Sequence, residues 1–339
     1  MIAVTEITGW EQEFFAQQPP LTGQEVLFYE GTADDIPAAE RERLEVVSCF
    51  IRSQVDAEFL AQCPNLKLIA TRSTGFDHVD LGWCASHGIA VTNVPVYGEN
   101  TVAEHTFGLI LALSRHIYEA ADRVKRGSFE IEGLLGFDLN GKTLGVVGAG
   151  KIGLHVIRMG VAMNMRVKAF DTQPHGILAE VLNFQYCPLD ELLRESDVVT
   201  LHVPLNRHTR HLLNDEKLDL MKQGAILVNT SRGAVVDSSA LLRKLNDGHL
   251  AGAALDVLEG EEVMSEDTAL LREETEGTMD KLRLAVEAYQ LMHHPRVLVT
   301  PHMAFYSREA LQRIILTTVE NIASFQAGQP CNLVETAPG

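Results

Sequence analysis

Hydrophobic and polar positions alternate in blocks along this chain, so that short apolar runs rich in β-branched residues are separated by polar or amphipathic stretches. In the first hundred residues, four such runs predict β-strands at 25–29, 45–51, 66–70 and 89–94. The stretches between them are long enough for helices, and this alternation is typical of a parallel sheet covered on both faces. The pattern therefore predicts a small α/β domain at the start of the chain.

A second series of apolar runs begins at residue 143 and again alternates with amphipathic stretches. We predict strands at 143–147, 166–170, 184–187, 197–203, 225–229 and 251–255, and helices at 189–195, 214–222 and 238–245. Six strands is the natural count for a doubly wound sheet, in which ligands bind beyond the carboxyl ends of the strands. A short strand at 297–300 and an amphipathic helix at 307–326 follow, and we expect this helix to return to the first domain.

The stretch that joins the two series predicts one long helix. The sequence from Thr101 to Glu104 has the form of a capping box, and the helix would run from there to about residue 127. Its apolar residues occupy several faces of the helix, which favours burial between two domains over packing against a single domain. We therefore predict a linker helix and divide the chain into residues 1–100 with 303–339, and residues 101–302.

Composition and charge limit the partners. With 339 residues the chain can bury two cores, and its formal net charge of −18 disfavours nucleic acid and anionic membranes, which both need a cationic surface. No apolar run approaches a membrane span and the first twenty residues lack a secretory signal, so we expect a cytoplasmic protein. The five cysteines form no CxxC pair, which predicts buried thiols and neither a disulfide framework nor a metal site.

An acid-rich stretch interrupts the second series. Between residues 259 and 280, nine carboxylates accompany one basic residue, Arg272. We predict a solvated, partly helical excursion there.

A glycine-rich turn follows the strand at 143–147 without a spacer, and its residues are Gly148, Ala149, Gly150, Lys151, Ile152 and Gly153. Such a turn places helix N–H groups against a pyrophosphate, because Gly148 permits the sharp turn, Gly150 the close approach and Gly153 the close packing. Asp171 ends the next strand and suits the ribose 2′-hydroxyl, which favours NAD over NADP. A structural turn without a ligand is the alternative, but strand, helix and acid together favour the cofactor.

Five motifs in the expected order resemble those of the D-isomer-specific 2-hydroxyacid dehydrogenases, and they are GAGKIG with Asp171, LHVPL, VNTSRGAVVD, AALDV and VTPHMAFYS. The last motif and the acidic insertion look most like the D-lactate dehydrogenase branch. The resemblance implies two doubly wound α/β domains with a cleft between them. The first would be a flavodoxin-like substrate domain and the second a Rossmann domain that binds NAD.

The resemblance also implies a catalytic triad of Arg232, Glu261 and His302. A guanidinium can hold the carboxylate of a 2-oxo acid with two parallel hydrogen bonds. Histidine exchanges a proton near neutral pH, and a neighbouring acid would orient its ring and favour the charged form. Each residue also has a non-catalytic alternative. Arg232 could be an exposed loop cation, His302 could be a surface or packing residue like most of the thirteen histidines, and Glu261 could belong to a solvated acidic face.

Further site residues follow from the same resemblance. Those expected around the cofactor, besides the glycine-rich turn and Asp171, are Val203, Pro204, Thr209, Thr230, Ser231 and Asp256. Val203 and Pro204 would line the nicotinamide, although ordinary strand-end packing would also explain them, and Asp256 would accept from the carboxamide. Those expected around the substrate are Ser73, Thr74, Gly75, Tyr97 and Tyr306. Arg52 is a further candidate for the pocket, at a place where the D-lactate branch would have an aromatic residue.

The leading functional hypothesis is NAD-dependent reduction of a short 2-oxo acid to the D-2-hydroxy acid, with pyruvate and D-lactate as the first expected pair. The alternatives are a relative that acts on glyoxylate, hydroxypyruvate or a bulkier 2-oxo acid, and a non-enzymatic NAD-sensing module that binds other proteins. A homodimer is expected from the family, with the 101–127 helix as its contact.

Overall fold

The structure, a computed structural model, describes residues 1–260 and 278–335. The chain divides into two compact units, Met1–Gly98 with Tyr306–Gly339, and Glu99–Phe305. Our sequence boundaries, after residues 100 and 302, lie within a few residues of these transitions. Each unit contains its own parallel sheet.

The first unit is built on a five-stranded parallel sheet in the order β2-β1-β3-β4-β5. Its strands are β1 Ile2–Val4, β2 Val26–Phe28, β3 Val46–Ser48, β4 Leu68–Ala70 and β5 Ala90–Thr92. Four of the five were predicted, and the missed strand, β1, has only three residues although it lies inside the sheet. Its hydrogen bonds to strands on both sides explain why so short a run is buried throughout.

Helices cover this sheet, and they are α1 Gly9–Ala16, α2 Ala38–Arg41, α3 Ala57–Ala61, α4 Leu81–His87 and, from the end of the chain, α13 Arg308–Gln326. The predicted return of the last helix is confirmed, since α13 packs against α1 and β4. The Ser307 side chain caps it by accepting a hydrogen bond from the Ala310 amide at 3.2 Å.

The second unit is built on a seven-stranded parallel sheet in the order β12-β11-β10-β9-β6-β7-β8. Its strands are β6 Thr143–Val147, β7 Arg166–Phe170, β8 Gln185–Tyr186, β9 Val198–Leu201, β10 Ala225–Asn229, β11 Leu250–Leu255 and β12 Val297–Val299. The expected count of six strands in this sheet was wrong. The short strand that follows the acidic stretch, β12, pairs with β11 and adds a seventh strand. The order reverses between β6 and β9, which is the ligand position in doubly wound sheets.

The helices described in this unit are α5 Glu99–Ser114, α6 Ile117–Lys125, α7 Lys151–Ala162, α8 Gly176–Leu182, α9 Leu189–Glu195, α10 Asp215–Asp219, α11 Ser238–Asn246 and α12 Thr278–Met292. Helix α12 was not predicted, because it lies at the edge of the acid-rich stretch. Residues 261–277, which include Glu261, lie outside the described residues.

The single linker helix predicted over 101–127 was wrong. The chain forms two helices, α5 and α6, because His116 adopts a left-handed conformation with φ of +49° between them. Helix α5 begins at Glu99, so Thr101 is inside it and does not cap it. Its many apolar faces are explained by packing against α7, β10 and β11 of its own unit, whereas α6 has no buried residue.

Three of the five cysteines are buried, as expected, and the other two are half-buried. Burial raises the pKa of Cys49 to about 12 and that of Cys63 and Cys84 to about 11, so these thiols stay protonated and unreactive. Among residues 1–260 and 278–335, none of the helices is both long and apolar enough to cross a bilayer.

Candidate active site

The glycine-rich turn lies at the carboxyl end of β6, beside the end of β9. Gly148 has a φ of +95°, and a Cβ there would lie 2.5 Å from the carbonyl oxygen of His202, so only glycine fits between the two strands. A Cβ on Gly153 would lie 2.0 Å from the Gly148 carbonyl oxygen, which explains the close contact of helix and turn. A Cβ on Gly150, in contrast, would meet nothing within 4 Å. The turn is thus tight inside and open where a pyrophosphate would approach.

Helix α7 begins directly after Gly150, so its first N–H groups point out of the turn without intrahelical partners. Lys151 is exposed, and its Nζ lies 4.0 Å from Glu99 Oε1. Ile152 packs against the core below the turn. An anion at this end of α7 would be held by backbone dipoles.

Asp171 follows β7 and fastens the glycine-rich turn. Its Oδ2 accepts a hydrogen bond from the Ala149 amide at 2.8 Å, and its Oδ1 accepts from the Gln173 amide at 2.9 Å. The residue is half-buried. This placement suits the predicted contact with the ribose hydroxyls.

The loop after β9 carries Val203, which is half-buried, and Pro204, which is exposed. Thr209 organises this loop, because its hydroxyl donates to the Pro204 carbonyl at 2.6 Å and accepts from the Asn206 amide at 2.8 Å. Thr209 therefore shapes the loop even without a ligand.

The turn after β10 presents Arg232, and a buried asparagine that the sequence reading missed holds it. The Asn229 Nδ2 donates to the Arg232 carbonyl at 2.9 Å, and its Oδ1 accepts from the Ser231 amide and hydroxyl at 3.0 and 2.8 Å. Arg232 is half-buried, and its guanidinium donates to the Ser231 carbonyl at 2.8 Å. Thr230 is buried, with its hydroxyl 3.0 Å from that of Thr106 on α5.

His302 follows β12, and the end of β11 holds its backbone. The amide of His302 donates to the Asp256 carbonyl at 2.9 Å, and the residue has a φ of +51°. The carboxylate of Asp256 accepts from the Met303 amide at 2.9 Å and the Ala304 amide at 2.8 Å. The left-handed backbone of His302 is thus fixed from the neighbouring strand.

Asp256 is only 1% exposed and takes two further contacts. The Thr300 hydroxyl donates to Oδ1, and Nε2 of His105 lies 3.5 Å from the same oxygen. Burial acts to raise the pKa of this carboxyl, but the hydrogen bonds from His105, Thr300 and the two amides outweigh it and lower the pKa. Asp256 thus remains charged and supports the His302 loop, a role that sequence spacing did not indicate.

The residues predicted for the substrate pocket belong to the other unit. Ser73 is buried and its hydroxyl lies 2.7 Å from that of Thr71, while the Thr74 hydroxyl donates to the Val94 carbonyl at 2.8 Å. The Ser73 hydroxyl also contacts the Gly75 carbonyl, and the Tyr97 carbonyl accepts from Arg313. Tyr306 is exposed. Arg52 is exposed too, with its Nε 3.4 Å from the buried carboxylate of Glu6.

Comparisons with known proteins agree with this architecture. The family model described as D-isomer specific 2-hydroxyacid dehydrogenase, NAD binding domain, matches residues 107–304. The D-lactate dehydrogenase of Escherichia coli is 34% identical over 333 residues, which cover 97% of this chain and 98% of that protein. The glyoxylate reductase of Korarchaeum cryptofilum is 35% identical over 312 residues, which cover 89% and 87%.

Among solved structures, the D-lactate dehydrogenase from Aquifex aeolicus, complexed with NAD and lactic acid, has a TM-score of 0.84 and 36% identity, with 100% of both chains covered. A doubly wound sheet with this glycine-rich turn defines a dinucleotide-binding protein. The chain belongs to the D-isomer specific 2-hydroxyacid dehydrogenase family, and its cofactor is NAD. The predicted family, fold class and cofactor are thereby confirmed.

Proposed function

We propose that this protein uses NADH to reduce a short 2-oxo acid to the D-2-hydroxy acid, with pyruvate as the preferred substrate. The observation that carries the proposal is the placement of Arg232 and His302. They follow β10 and β12, on either side of β11, in the sheet whose first strand ends in the dinucleotide turn. The proposed carboxylate anchor and the proposed proton donor thus follow two strands at the carboxyl edge of the sheet, where ligands bind in doubly wound domains.

Arg232 anchors the substrate. Its guanidinium binds the carboxylate through two parallel hydrogen bonds and polarises the adjacent carbonyl, which fixes the reacting carbon. The turn that Asn229 holds limits the positions this guanidinium can take, so little entropy is lost on binding.

His302 gives the proton. Its imidazole hydrogen-bonds to the carbonyl oxygen of the substrate and transfers a proton to it as the alcohol forms. Glu261 is proposed to orient the imidazole and favour its charged form. It stands two residues beyond Glu259, at the start of the part of the chain that is not described.

The cofactor fits the residues around β6 and β7. The α7 N-terminus and the open face of Gly150 would hold the pyrophosphate, and Asp171 the adenosine ribose. Pro204 and Val203 would face the nicotinamide, with Thr209 holding their loop, and Thr230, Ser231 and Asp256 would complete the site. When bound, NADH supplies the hydride that the carbonyl carbon accepts.

Two relationships support pyruvate over larger acids. The D-lactate dehydrogenases of Escherichia coli and Aquifex aeolicus match nearly the whole chain, and apolar Met303 and Phe305 follow His302. The similarly close glyoxylate reductase makes glyoxylate the competing substrate. Ser73, Thr74, Gly75, Tyr97 and Tyr306 are proposed to contact the substrate side chain.

The test is the loss of NADH absorbance with pyruvate, glyoxylate, hydroxypyruvate and 2-oxo-4-methylpentanoate, followed by chiral analysis of the product. We expect the highest kcat/KM with pyruvate and D-lactate as the product. A higher value with another acid would reassign the substrate pocket and keep Arg232 and His302. If the protein binds NADH but reduces none of these acids, the proposed enzyme activity is wrong and the NAD-sensing interaction module becomes the better account.

We also propose a homodimer, through the second part of the predicted 101–127 contact, which is α6, and the chain that follows it. Helix α5 is largely buried in its own unit, but α6 and the chain after it expose apolar side chains. These are Ile117, Tyr118, Val124, Phe129, Ile131 and Leu135. Exposed apolar side chains in this number are typical of a surface that a partner covers.

A further inference from the structure

Three loops of the second unit meet at one histidine. His211 ends the loop after β9, and its amide donates to the carbonyl of Ala234, in the 3-10 turn after Arg232, at 2.8 Å. Its imidazole Nε2 lies 2.8 Å from Oε1 of Glu259, in the segment after β11. His211 holds this position with a left-handed backbone, at a φ of +49°. The backbone and side chain of one residue thus join the loops after β9, β10 and β11.

Glu259 is a buried carboxylate, with its side chain only 5% exposed. Arg210 Nη2 also reaches Oε1, at 3.3 Å, but that arginine side chain is 58% exposed and peripheral. A carboxylate removed from water needs hydrogen bonds in compensation. The imidazole N–H of His211 provides the shorter one.

The backbone at Glu259 lies directly against the turn of Arg232. A Cβ on Gly233 would lie within 2.3 Å of the Leu258 carbonyl and the Glu259 nitrogen, so glycine alone permits this approach. The segment that Glu259 fixes is therefore in contact with the residue after Arg232.

We propose that His211 and Glu259 are positioning residues for the reduction. Their hydrogen bond holds the Arg232 turn against the loop that carries Pro204 and Thr209. Neither side chain needs to touch the substrate. The inference rests on the proposed function, because it assigns the effect to the carboxylate anchor, Arg232.

The contact lies away from the strands that are proposed to bind the rest of NADH. The glycine-rich turn and Asp171 follow β6 and β7, on the other side of β9 in the sheet. Loosening the contact should therefore reduce turnover and affinity for the 2-oxo acid more than affinity for NADH. A displacement of about 1 Å at such a site can cost about 10²-fold in rate.

The test compares His211→Leu with His211→Gln. Both bear the same cost of a left-handed backbone, but only the glutamine amide can donate to Glu259 in place of Nε2. We expect kcat/KM for the 2-oxo acid to fall by about 10²-fold in His211→Leu and by less than about 10-fold in His211→Gln. The dissociation constant for NADH should change by less than about 3-fold in both. His208→Leu, an exposed histidine of the same loop, is the matched control.

A second readout does not need turnover. In His211→Leu, amide hydrogen exchange of residues 230–236 should accelerate relative to the wild type, while that of residues 148–153 should not. Unchanged exchange at 230–236, or equal losses of kcat/KM in the Leu and Gln variants, would overturn the positioning role. If the wild type reduces no 2-oxo acid, the proposed function fails, and hydrogen exchange still decides whether the contact holds the Arg232 turn.

Discussion

His302 and Asp256 are joined through the backbone, because the His302 amide donates to the Asp256 carbonyl at 2.9 Å. The Asp256 carboxylate then accepts from the next two amides, of Met303 and Ala304. The proposed proton donor is therefore held by the end of β11, although it follows β12. A left-handed backbone costs energy at a histidine. The hydrogen bonds from the Met303 and Ala304 amides to the Asp256 carboxylate offset this cost and stabilise the turn.

Asp256→Asn should lower turnover, although we assign no proton or hydride transfer to Asp256. The asparagine side chain has an NH2 group in place of one carboxylate oxygen. This donor would face another donor, either a backbone N–H or the Thr300 hydroxyl, and one hydrogen bond would be lost. We expect kcat to fall by about 10²-fold as His302 shifts, and the free energy of unfolding to fall by about 1–3 kcal/mol. Steady-state kinetics and urea unfolding measure both.

Thr300→Val is the control for Asp256→Asn, since it removes one donor to the carboxylate and leaves both amide contacts. It should have the smaller effect on kcat. If Asp256→Asn turns over like the wild type, Asp256 does not position His302. If instead it mainly weakens NADH binding, the predicted carboxamide contact is the better account.

Gly150 and Gly153 should respond differently to alanine. At Gly150 a Cβ meets nothing in the protein, so Gly150→Ala should change the free energy of unfolding by about 1 kcal/mol or less. It should nevertheless weaken NADH binding, because the methyl would occupy the approach of the pyrophosphate. At Gly153 a Cβ would overlap the Gly148 carbonyl, so Gly153→Ala should lower both stability and NADH binding.

NADH fluorescence titration and thermal unfolding distinguish the two variants. Normal NADH affinity in Gly150→Ala would place the pyrophosphate elsewhere.

The pH dependence of stability should report on His202, which precedes Val203. Burial lowers its pKa to about 3, its Nε2 lies 2.9 Å from the Thr200 hydroxyl, and its Nδ1 has no partner in the described residues. The unfolded chain, with an ordinary histidine pKa near 6.5, binds this proton more readily than the folded chain. Stability is therefore lost as pH falls from about 6.5 towards 3, by up to about 1.4 kcal/mol per pH unit.

His202→Gln removes that titration. Relative to the wild type, the variant should gain stability progressively below pH 6.5, as measured by urea unfolding at several pH values. Since the neutral form of His202 predominates at the pH of assay, the pH midpoint of kcat should not move. His208→Gln, at an exposed position, serves as the control. A parallel stability change in both variants would show that His202 titrates normally.

Sequence alone predicted most of the fold where strands are buried on both faces. The bounds of β6, β7 and β10 were predicted to the residue, because β6 and β10 are buried, mainly apolar runs and β7 alternates apolar with basic residues. The break between α5 and α6 was missed, since it depends on a left-handed histidine and carries no glycine or proline.

For the site, motifs indicated which residues follow each strand, and the structure places Arg232 and His302 at the same edge of the sheet. They could not indicate that Asp256 accepts from amides 47 and 48 residues further along the chain. That contact exists only because β11 and β12 pair in register. The same holds for His211 and Glu259, which belong to loops after different strands.

The proposed dimer surface gives the last prediction. Ile131 and Leu135 are 84% and 93% exposed, close in sequence to α6, and a second copy of the chain would cover them. Ile131→Glu with Leu135→Glu should therefore convert a dimer into a monomer, because each charge would have to be buried at the interface. Light scattering coupled to size exclusion measures the mass.

Ile177→Glu is the matched control for this pair, since Ile177 is 69% exposed on α8, away from α6 in the chain. It should leave the mass unchanged. NADH binding should persist in all variants, because these side chains lie outside the glycine-rich turn and the loops after β9, β10 and β11. A wild-type protein that is monomeric, or a dimer that survives both charges, would mean that this surface has another role.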